Sequence, residues 1–307
     1  MINLWFILPC LVAARYSFIK SLFGMRRCAP RGHHPPTYCI IGGGGGGAAT
    51  DDENTKFCGR HIEKIAPQFE NKKHITISPG GFKGFYMLGV TAYIKTFFEV
   101  EDDYIFSGAS AGSWNALTMS YIGEPYTLYP RIRKILYSVN ELFKSRTILY
   151  MQKQLRAGIM EKFRDDEFDF QKLFIGVTTN TIPNPFFRHK THIYTNFSNL
   201  DEAVDACMAS SHIPFITGGH KYIYRGIDAY DGGFSKNPFL PITPYLKITP
   251  NIWGAENETY GLESFTTLFF KHKYDLIELF DMGFLDSFEN HDELARLFTA
   301  RKPPPAD

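Results

Sequence analysis

The chain has 307 residues, enough to bury a sizeable core, and its 33 Lys and Arg nearly balance 32 Asp and Glu for a formal net charge of +1. With no basic stripe interleaved with aromatics, that balance gives no reason to expect a nucleic-acid partner. The five cysteines (Cys10, Cys28, Cys39, Cys58 and Cys207) have neither metal-site spacing nor an even count, so no metal is expected.

The chain opens on an apolar segment. Residues 1–50 contain no Asp or Glu but carry Arg15, Lys20, Arg26, Arg27 and Arg31, and Leu4 to Ala14 form a hydrophobic run too short to span a bilayer. Such a start fits a signal, a transit peptide or a surface anchor, and predicts a membrane-associated or organelle-targeted protein. Pro35-Pro36 and Gly42–Gly47 read as a flexible linker. Ile40-Ile41-Gly42-Gly43-Gly44 imitates a dinucleotide fingerprint, but neither the helix nor the ribose-binding acid follows it, and no organic cofactor is expected. Residues 1–70 are assigned to this anchor and linker, 71–295 to a single catalytic domain, and 296–307 to a tail.

Strands and helices then alternate. A strand over 74–78 runs through Pro79-Gly80-Gly81-Phe82-Lys83-Gly84 into a helix ending near Phe98. A glycine-rich turn at a helix start presents unpaired N–H groups, a site for an anion and here for an oxyanion. Pro79 has no N–H, so the expected donors are Gly80, Gly81, Phe82 and Ala111. A strand over 104–108 leads into Gly108-Ala109-Ser110-Ala111-Gly112 and a helix over 113–121. Gly-x-Ser-x-Gly at a strand-to-helix turn exposes the hydroxyl of Ser110 as a nucleophile, with Gly108 and Gly112 allowing backbone to pass close.

A helical region spans about Leu128 to Phe163. Strands are predicted at Leu173–Thr179 and His192–Thr195, a helix at Leu200–Met208, and a strand at Tyr222–Ile227 leading to Asp231. Gly232 and Gly233 after Asp231 permit close approach of another backbone or a substrate. One more strand at Tyr245–Ile248 and helices at Leu262–Lys271, Asp275–Met282 and Asp292–Phe298 complete the chain. This pattern predicts a three-layer α/β/α sandwich with a mostly parallel central sheet and the site at the carboxyl ends of strands.

In order and spacing, the glycine loop, the Ser110 motif and Asp231-Gly232-Gly233 resemble the patatin-like phospholipase family. Ala209-Ser210-Ser211-His212-Ile213-Pro214 is similar to its Ala-Ser-x-x-x-Pro segment, and Lys236-Asn237-Pro238 follows the aspartate as its Asn-Pro does. Gly81-Phe82-Lys83-Gly84-Phe85-Tyr86-Met87-Leu88-Gly89 and Gly283-Phe284-Leu285-Asp286 resemble the adiponutrin and adipose-triglyceride-lipase branch. Plant patatins open the loop with Asp-Gly-Gly-Gly, whereas this chain has Ser78-Pro79-Gly80-Gly81.

The resemblance implies a patatin-like fold and a Ser110–Asp231 dyad. It also implies a glycerolipid or phospholipid substrate at a membrane or lipid-droplet surface. Lys83 stands where the family often has Arg or Lys, as a phosphate contact or a solvated helix start. Asn237 is expected to brace the loop after Asp231 through backbone hydrogen bonds, and His212 to make a structural hydrogen bond. Asp228 is a lesser rival base. Two other readings stay open: an α/β-hydrolase triad of Ser110, Asp231 and His272 or His291, and a silent lipid-binding module, for which Pro79 is the motive.

Overall fold

The computed structural model describes residues 38–42, 69, 71–100, 102–145, 151–180, 189–235, 237–253 and 275–302. The helix expected at Leu262–Lys271 and the candidate base His272 lie outside the described residues.

The central sheet contains β1 (Tyr38–Gly42), β2 (Lys73–Ile77), β4 (Tyr104–Ala109), β5 (Leu173–Asn180), β6 (His189–Thr195) and β9 (Leu246–Ile248), in the order β1-β6-β5-β4-β2-β9. A hairpin of β7 (Tyr222–Tyr224) and β8 (Ile227–Tyr230) joins it through β5. The pairs β1–β6, β2–β4, β2–β9 and β4–β5 are parallel, while β5–β6, β5–β8 and β7–β8 are antiparallel. A two-residue β3 (Phe98–Glu99) pairs separately with β10 (Thr299–Ala300). The helices are α1 (Gly84–Phe97), α2 (Ala111–Met119), α3 (Pro125–Ser145), α4 (Met151–Lys162), α5 (Leu200–Ser210), α6 (Leu276–Glu289) and α7 (His291–Ala295). The mostly parallel sheet with flanking helices is the architecture the alternation predicts.

Strand residues alternate between two faces, as the pleat requires. Ile75 and Ile77, Tyr104 and Phe106, and Leu173, Ile175 and Val177 enter the main core with α1, α2 and α3. Ile105, Phe174 and Ile193 point the other way, into a smaller cluster with Leu240, covered partly by Phe69 and Ile242. His74 lies on a buried position there, its Nε2 2.7 Å from Ser107 Oγ, and burial pushes its imidazole down to about 4, so it is uncharged at neutral pH.

Three elements differ from expectation. The single strand expected at Tyr222–Ile227 is a hairpin. Arg225 and Gly226 have φ of 48° and 77°, a turn that reverses the chain, so Asp231 follows β8 and not β7. Tyr38–Gly42, within the span read as anchor and linker, pairs with β6, as its aromatic and β-branched residues favour. Within the span read as a tail, Thr299–Ala300 closes onto Phe98–Glu99, and the buried Phe298 stacks on Tyr104 at 5.4 Å.

The densest helix contact joins α1 to α6. A Cβ at Gly89 would lie 2.1 Å from the Phe280 carbonyl oxygen, and one at Gly283 only 1.9 Å from that of Tyr86. No side chain fits between these backbones. Tyr86 Oη also donates to Asp286 Oδ2 at 2.6 Å, which gives the Gly283-Phe284-Leu285-Asp286 motif its packing role. Gly283→Ala is therefore expected to lower unfolding stability by about 1–3 kcal/mol through overpacking, whereas Gly219→Ala, with open space around it, changes little. Urea titration of both variants measures the difference.

Candidate active site

Two strands share one edge of β5, because β6 occupies the other edge continuously from Ile175 to Asn180. Strand β4 runs up that edge until Ala109 stands beside Gly176, and β8 comes down it until Tyr230 stands beside Thr178. The carboxyl ends of both strands thus face each other across about one residue of β5. Ser110 leaves the end of one, Asp231 the end of the other.

The backbone at Ser110 is strained, with φ 53° and ψ −129°, a region that L-residues rarely adopt. The turn is held tight from three sides. A Cβ at Gly108 would be 2.1 Å from the Gly112 carbonyl oxygen, and a Cβ at Gly112 would be 2.1 Å from that of Ile77, so neither position accepts a side chain. Ser110 N–H donates to Ser210 Oγ at 2.8 Å, and Ser210 Oγ donates to the Gly176 carbonyl at 2.7 Å. The serine hydroxyl is then free to turn toward Asp231, donating to Oδ2 at 2.6 Å.

Asp231 is buried, and its other oxygen, Oδ1, accepts from Gly233 N–H at 2.7 Å. Burial pushes its carboxyl from 3.8 up to about 7, against the opposing pull of the hydrogen bonds from Ser110 and Gly233. Its own N–H donates to the His212 carbonyl at 2.7 Å. Close packing again requires glycine. A Cβ on Gly232 would sit 2.3 Å from the Gly176 carbonyl oxygen, and one on Gly233 would lie 3.1 Å from Pro79 Cβ. The aspartate turn therefore abuts the glycine loop.

Ser110 and Asp231 line a cavity of about 980 Å³, together with Gly80, Gly81, Ala111, Gly233 and Asn237. Gly80 precedes a 3-10 turn at Gly81–Lys83, and Ala111 opens α2; the first amides of helical turns have no intrahelical acceptor. Gly81 has φ 53°. The α2 N-terminus beside Ser110 adds the positive end of its dipole. Phe82 contributes a fully buried side chain to the core and does not line the cavity. Lys83 caps the start of α1 and is likewise outside the lining.

Asn237 is exposed and makes no hydrogen bond to a described residue, so the expected brace is missing; Gly233 N–H and the His212 carbonyl hold Asp231 instead. The His212 ring does not make the predicted hydrogen bond either. Both its nitrogens are buried without a partner, and only its backbone carbonyl supports the site. Burial lowers its pKa, which keeps the ring neutral; the His220 backbone pulls the other way but stands outside hydrogen-bond geometry. Asp228 pairs with Lys221 at 2.9 Å. His291 contacts Tyr93 Oη at 3.0 Å and stacks on Phe98, away from the cavity lining. Among the described residues no group of three or more His, Cys, Asp or Glu gathers as a metal site.

A residue-type pattern gave no warning of one supporting cluster. Gln152 Nε2, from α4, donates to Ser211 O and Oγ at 2.7 Å each, and Trp114 Nε1 donates to Ser211 Oγ at 3.1 Å. This ties α4 and α2 to the segment that carries Ser210 and His212.

A family model for patatin-like phospholipases matches residues 75–244, more than half of the chain and all of this constellation. The chain belongs to the patatin-like phospholipase family. Among curated relatives, human "1-acylglycerol-3-phosphate O-acyltransferase PNPLA3" is 27% identical over 180 residues, covering 55% of this chain and 36% of the relative. Its mouse counterpart is 26% identical over 190 residues, covering 59% and 44%. The match therefore spans less than half the length of either relative, and both support the adiponutrin branch of this patatin-like family.

Relief of the strained backbone is measurable in isolation. Ser110→Gly is expected to raise unfolding stability by about 1–3 kcal/mol, because glycine adopts this φ and ψ without strain, while Ser110→Ala keeps the strain. Chemical denaturation of the two variants side by side checks this; equal stabilities would contradict it.

Proposed function

We propose that the chain is a serine-dependent lipid acyl hydrolase that cleaves fatty-acyl esters of glycerolipids or phospholipids at a membrane or lipid-droplet surface. The reading rests above all on the 2.6 Å hydrogen bond from Ser110 Oγ to a buried aspartate at the wall of an apolar cavity. Ser110 Oγ attacks the ester carbonyl as its proton passes to Asp231 Oδ2. The N–H groups of Gly80, Gly81 and Ala111, on residues that line the cavity, receive the oxygen as it gains charge, and the α2 dipole assists; Phe82, expected as a fourth donor, is outside the lining. Asp231 then returns the proton to the leaving alcohol, and the acyl group stays on Ser110. Water attacks next, with Asp231 again taking the proton and handing it to Ser110 Oγ as the acyl–oxygen bond breaks and the fatty acid departs. An alcohol in place of water would make the same intermediate an acyl donor, the reaction in the printed names of the human and mouse relatives.

An ordinary aspartate is a poor base near neutrality. Burial removes that weakness, since a carboxylate titrating at about 7 accepts a proton far more readily. Phe234, 43% exposed on the rim of the cavity, suits contact with an aggregated substrate. Ser110 and Asp231 at hydrogen-bond distance support the hydrolase reading over the silent lipid-binding module.

Ser110→Ala is expected to abolish hydrolysis of a long-chain ester, and Asp231→Asn to lower the rate by at least ~10² in a folded protein. His291→Ala and His272→Ala should each retain most activity. If either matched the loss in Ser110→Ala while staying folded, a triad would replace the dyad.

The pH dependence follows in sign. Activity needs ionised Asp231, so the rate rises along an acid limb with a midpoint near 7. Stability moves oppositely: the folded carboxyl binds its proton up to about 7 and the unfolded one only to about 3.8, so folding weakens as pH rises through that window. Asp231→Asn removes this weakening, and its melting temperature should gain on that of the wild type between those two values. A gain that is flat with pH would show that Asp231 is not held protonated by the fold.

A further inference from the structure

The long axis of the cavity is written into three helices. Ala111, Trp114, Asn115 and Thr118 line it from one face of α2, at the i, i+3, i+4 and i+7 spacing of a single stripe. Leu128, Ile132 and Ile135 line it from α3, again one stripe, and Leu155 and Ile159 from α4. The cavity therefore runs lengthwise along α2 from Ser110. At a rise of about 1.5 Å per residue, Thr118 lies roughly 12 Å along the axis from Ser110 and the end of α2 at Met119 roughly 13 Å, with Tyr121 just beyond.

Beyond that end of α2 the cavity is lined by an aromatic pair. Phe163 and Phe168 both line it, 5.7 Å apart by ring centroids, and they stand 5.7 Å and 5.6 Å from the buried ring of Tyr121. The pair is braced from behind. The Arg131 guanidinium lies 4.0 Å from the Phe163 ring centre, donates to Tyr121 Oη at 3.1 Å, and pairs with Glu167 at 2.6 Å. It also bonds the Lys162 carbonyl at the end of α4. The same guanidinium holds the Glu167 carboxyl down at about 2, so the pair stays charged throughout the neutral range.

We propose that one acyl chain lies along α2 from Ser110 with its methyl end against Phe163 and Phe168, so that these two rings set the chain length the site accepts. This rests on the hydrolase reading of Ser110. With C–C bonds of about 1.5 Å, an extended alkyl chain advances roughly 1.3 Å per carbon, and the span from Ser110 to the rings holds roughly ten to thirteen carbons. Volume does not impose this limit, since about 980 Å³ is at the upper end for ligand cavities. Length along the helix does.

The test uses the full chain and a series of alkyl fluorophosphonates, from butyl to hexadecyl. In each, Ser110 Oγ bonds to phosphorus, fluoride leaves, and the hydroxyl proton passes to Asp231; peptide mass confirms the site. The inactivation rate is expected to rise with chain length to about decyl or dodecyl and to fall about tenfold by hexadecyl. Phe163→Leu and Phe168→Leu should move the optimum to longer chains. Thr118→Phe, which puts a ring part-way along the stripe, should move it to shorter ones. The wild-type series and Thr118→Phe keep the test decisive if the phenylalanine variants fail to fold. A rate that still climbs at hexadecyl, or one optimum shared by every folded variant, overturns the ruler. Failure of every probe to label Ser110 in folded protein is a separate result, which overturns the hydrolase reading and the ruler with it.

Discussion

The structure depends on how closely backbone passes backbone at the turn between β4 and α2. Gly108 and Gly112 face carbonyl oxygens at distances where no Cβ fits, and Gly112 lies directly against the end of β2. That approach lets β2 and β4 deliver their loops to one point: the glycine loop from the first, Ser110 from the second. A methyl group at Gly112 would push the two loops apart, and one at Gly108 would open the turn that holds Ser110. The strain at Ser110 is the local cost of this arrangement, and the bonds through Ser210 to Gly176 hold the residue in it.

Charge is treated in the same economical way. The carboxylate meets the serine in a buried, mostly apolar setting, with one oxygen satisfied by Gly233 and the other by Ser110. In water such a pair would be weak and the acid fully ionised. Removal of solvent makes the hydroxyl the principal hydrogen-bond donor to Oδ2 and raises the affinity of the carboxylate for a proton. Two buried histidines, His74 and His212, serve structure. His74 is neutral and paired with Ser107, and the His212 carbonyl, not its ring, steadies Asp231.

Much of the candidate site was legible in the sequence because its signals are local. A strand, two glycines and a serine fix a turn within five residues, and Asp-Gly-Gly marks a second close approach. Strands β2 and β4 were equally legible, since each is a short apolar run ending at such a turn. What was not legible depends on partners distant in sequence. Tyr222–Ile227 reads as one strand by residue type, and only the positive φ at Arg225 and Gly226 reveals the hairpin that brings Asp231 in from the opposite direction. Asn237 and His212 were read by what their side chains are able to bond, yet neither side chain bonds to a described residue. Gln152 has no motif around it, and its contact with Ser211 exists only because α4 folds across α5. The segment Tyr38–Gly42 was overshadowed by the glycines after it, although its own residues favour a strand.

The C-terminal helix enters the same chain of causes. Helix α1 begins at Gly84, where a Cβ would stand 2.5 Å from Ala111 Cβ, so the start of α1 is wedged directly against the turn that carries Ser110. Its position along the sheet is set further on, where Gly89 and Gly283 let α6 lie against it and Tyr86 reaches Asp286. Helix α6 in turn is fixed to α3 through Asn140, which donates to Asp275 and accepts from Leu276 N–H, and through Arg133 and Tyr129, which both bond Asp281. Since α3 supplies one wall of the cavity, α6 touches both the glycine loop, by way of α1, and that wall, without lining the site itself. A segment more than forty residues after Asp231 in sequence thereby fixes the separation between the glycine loop and the wall facing it.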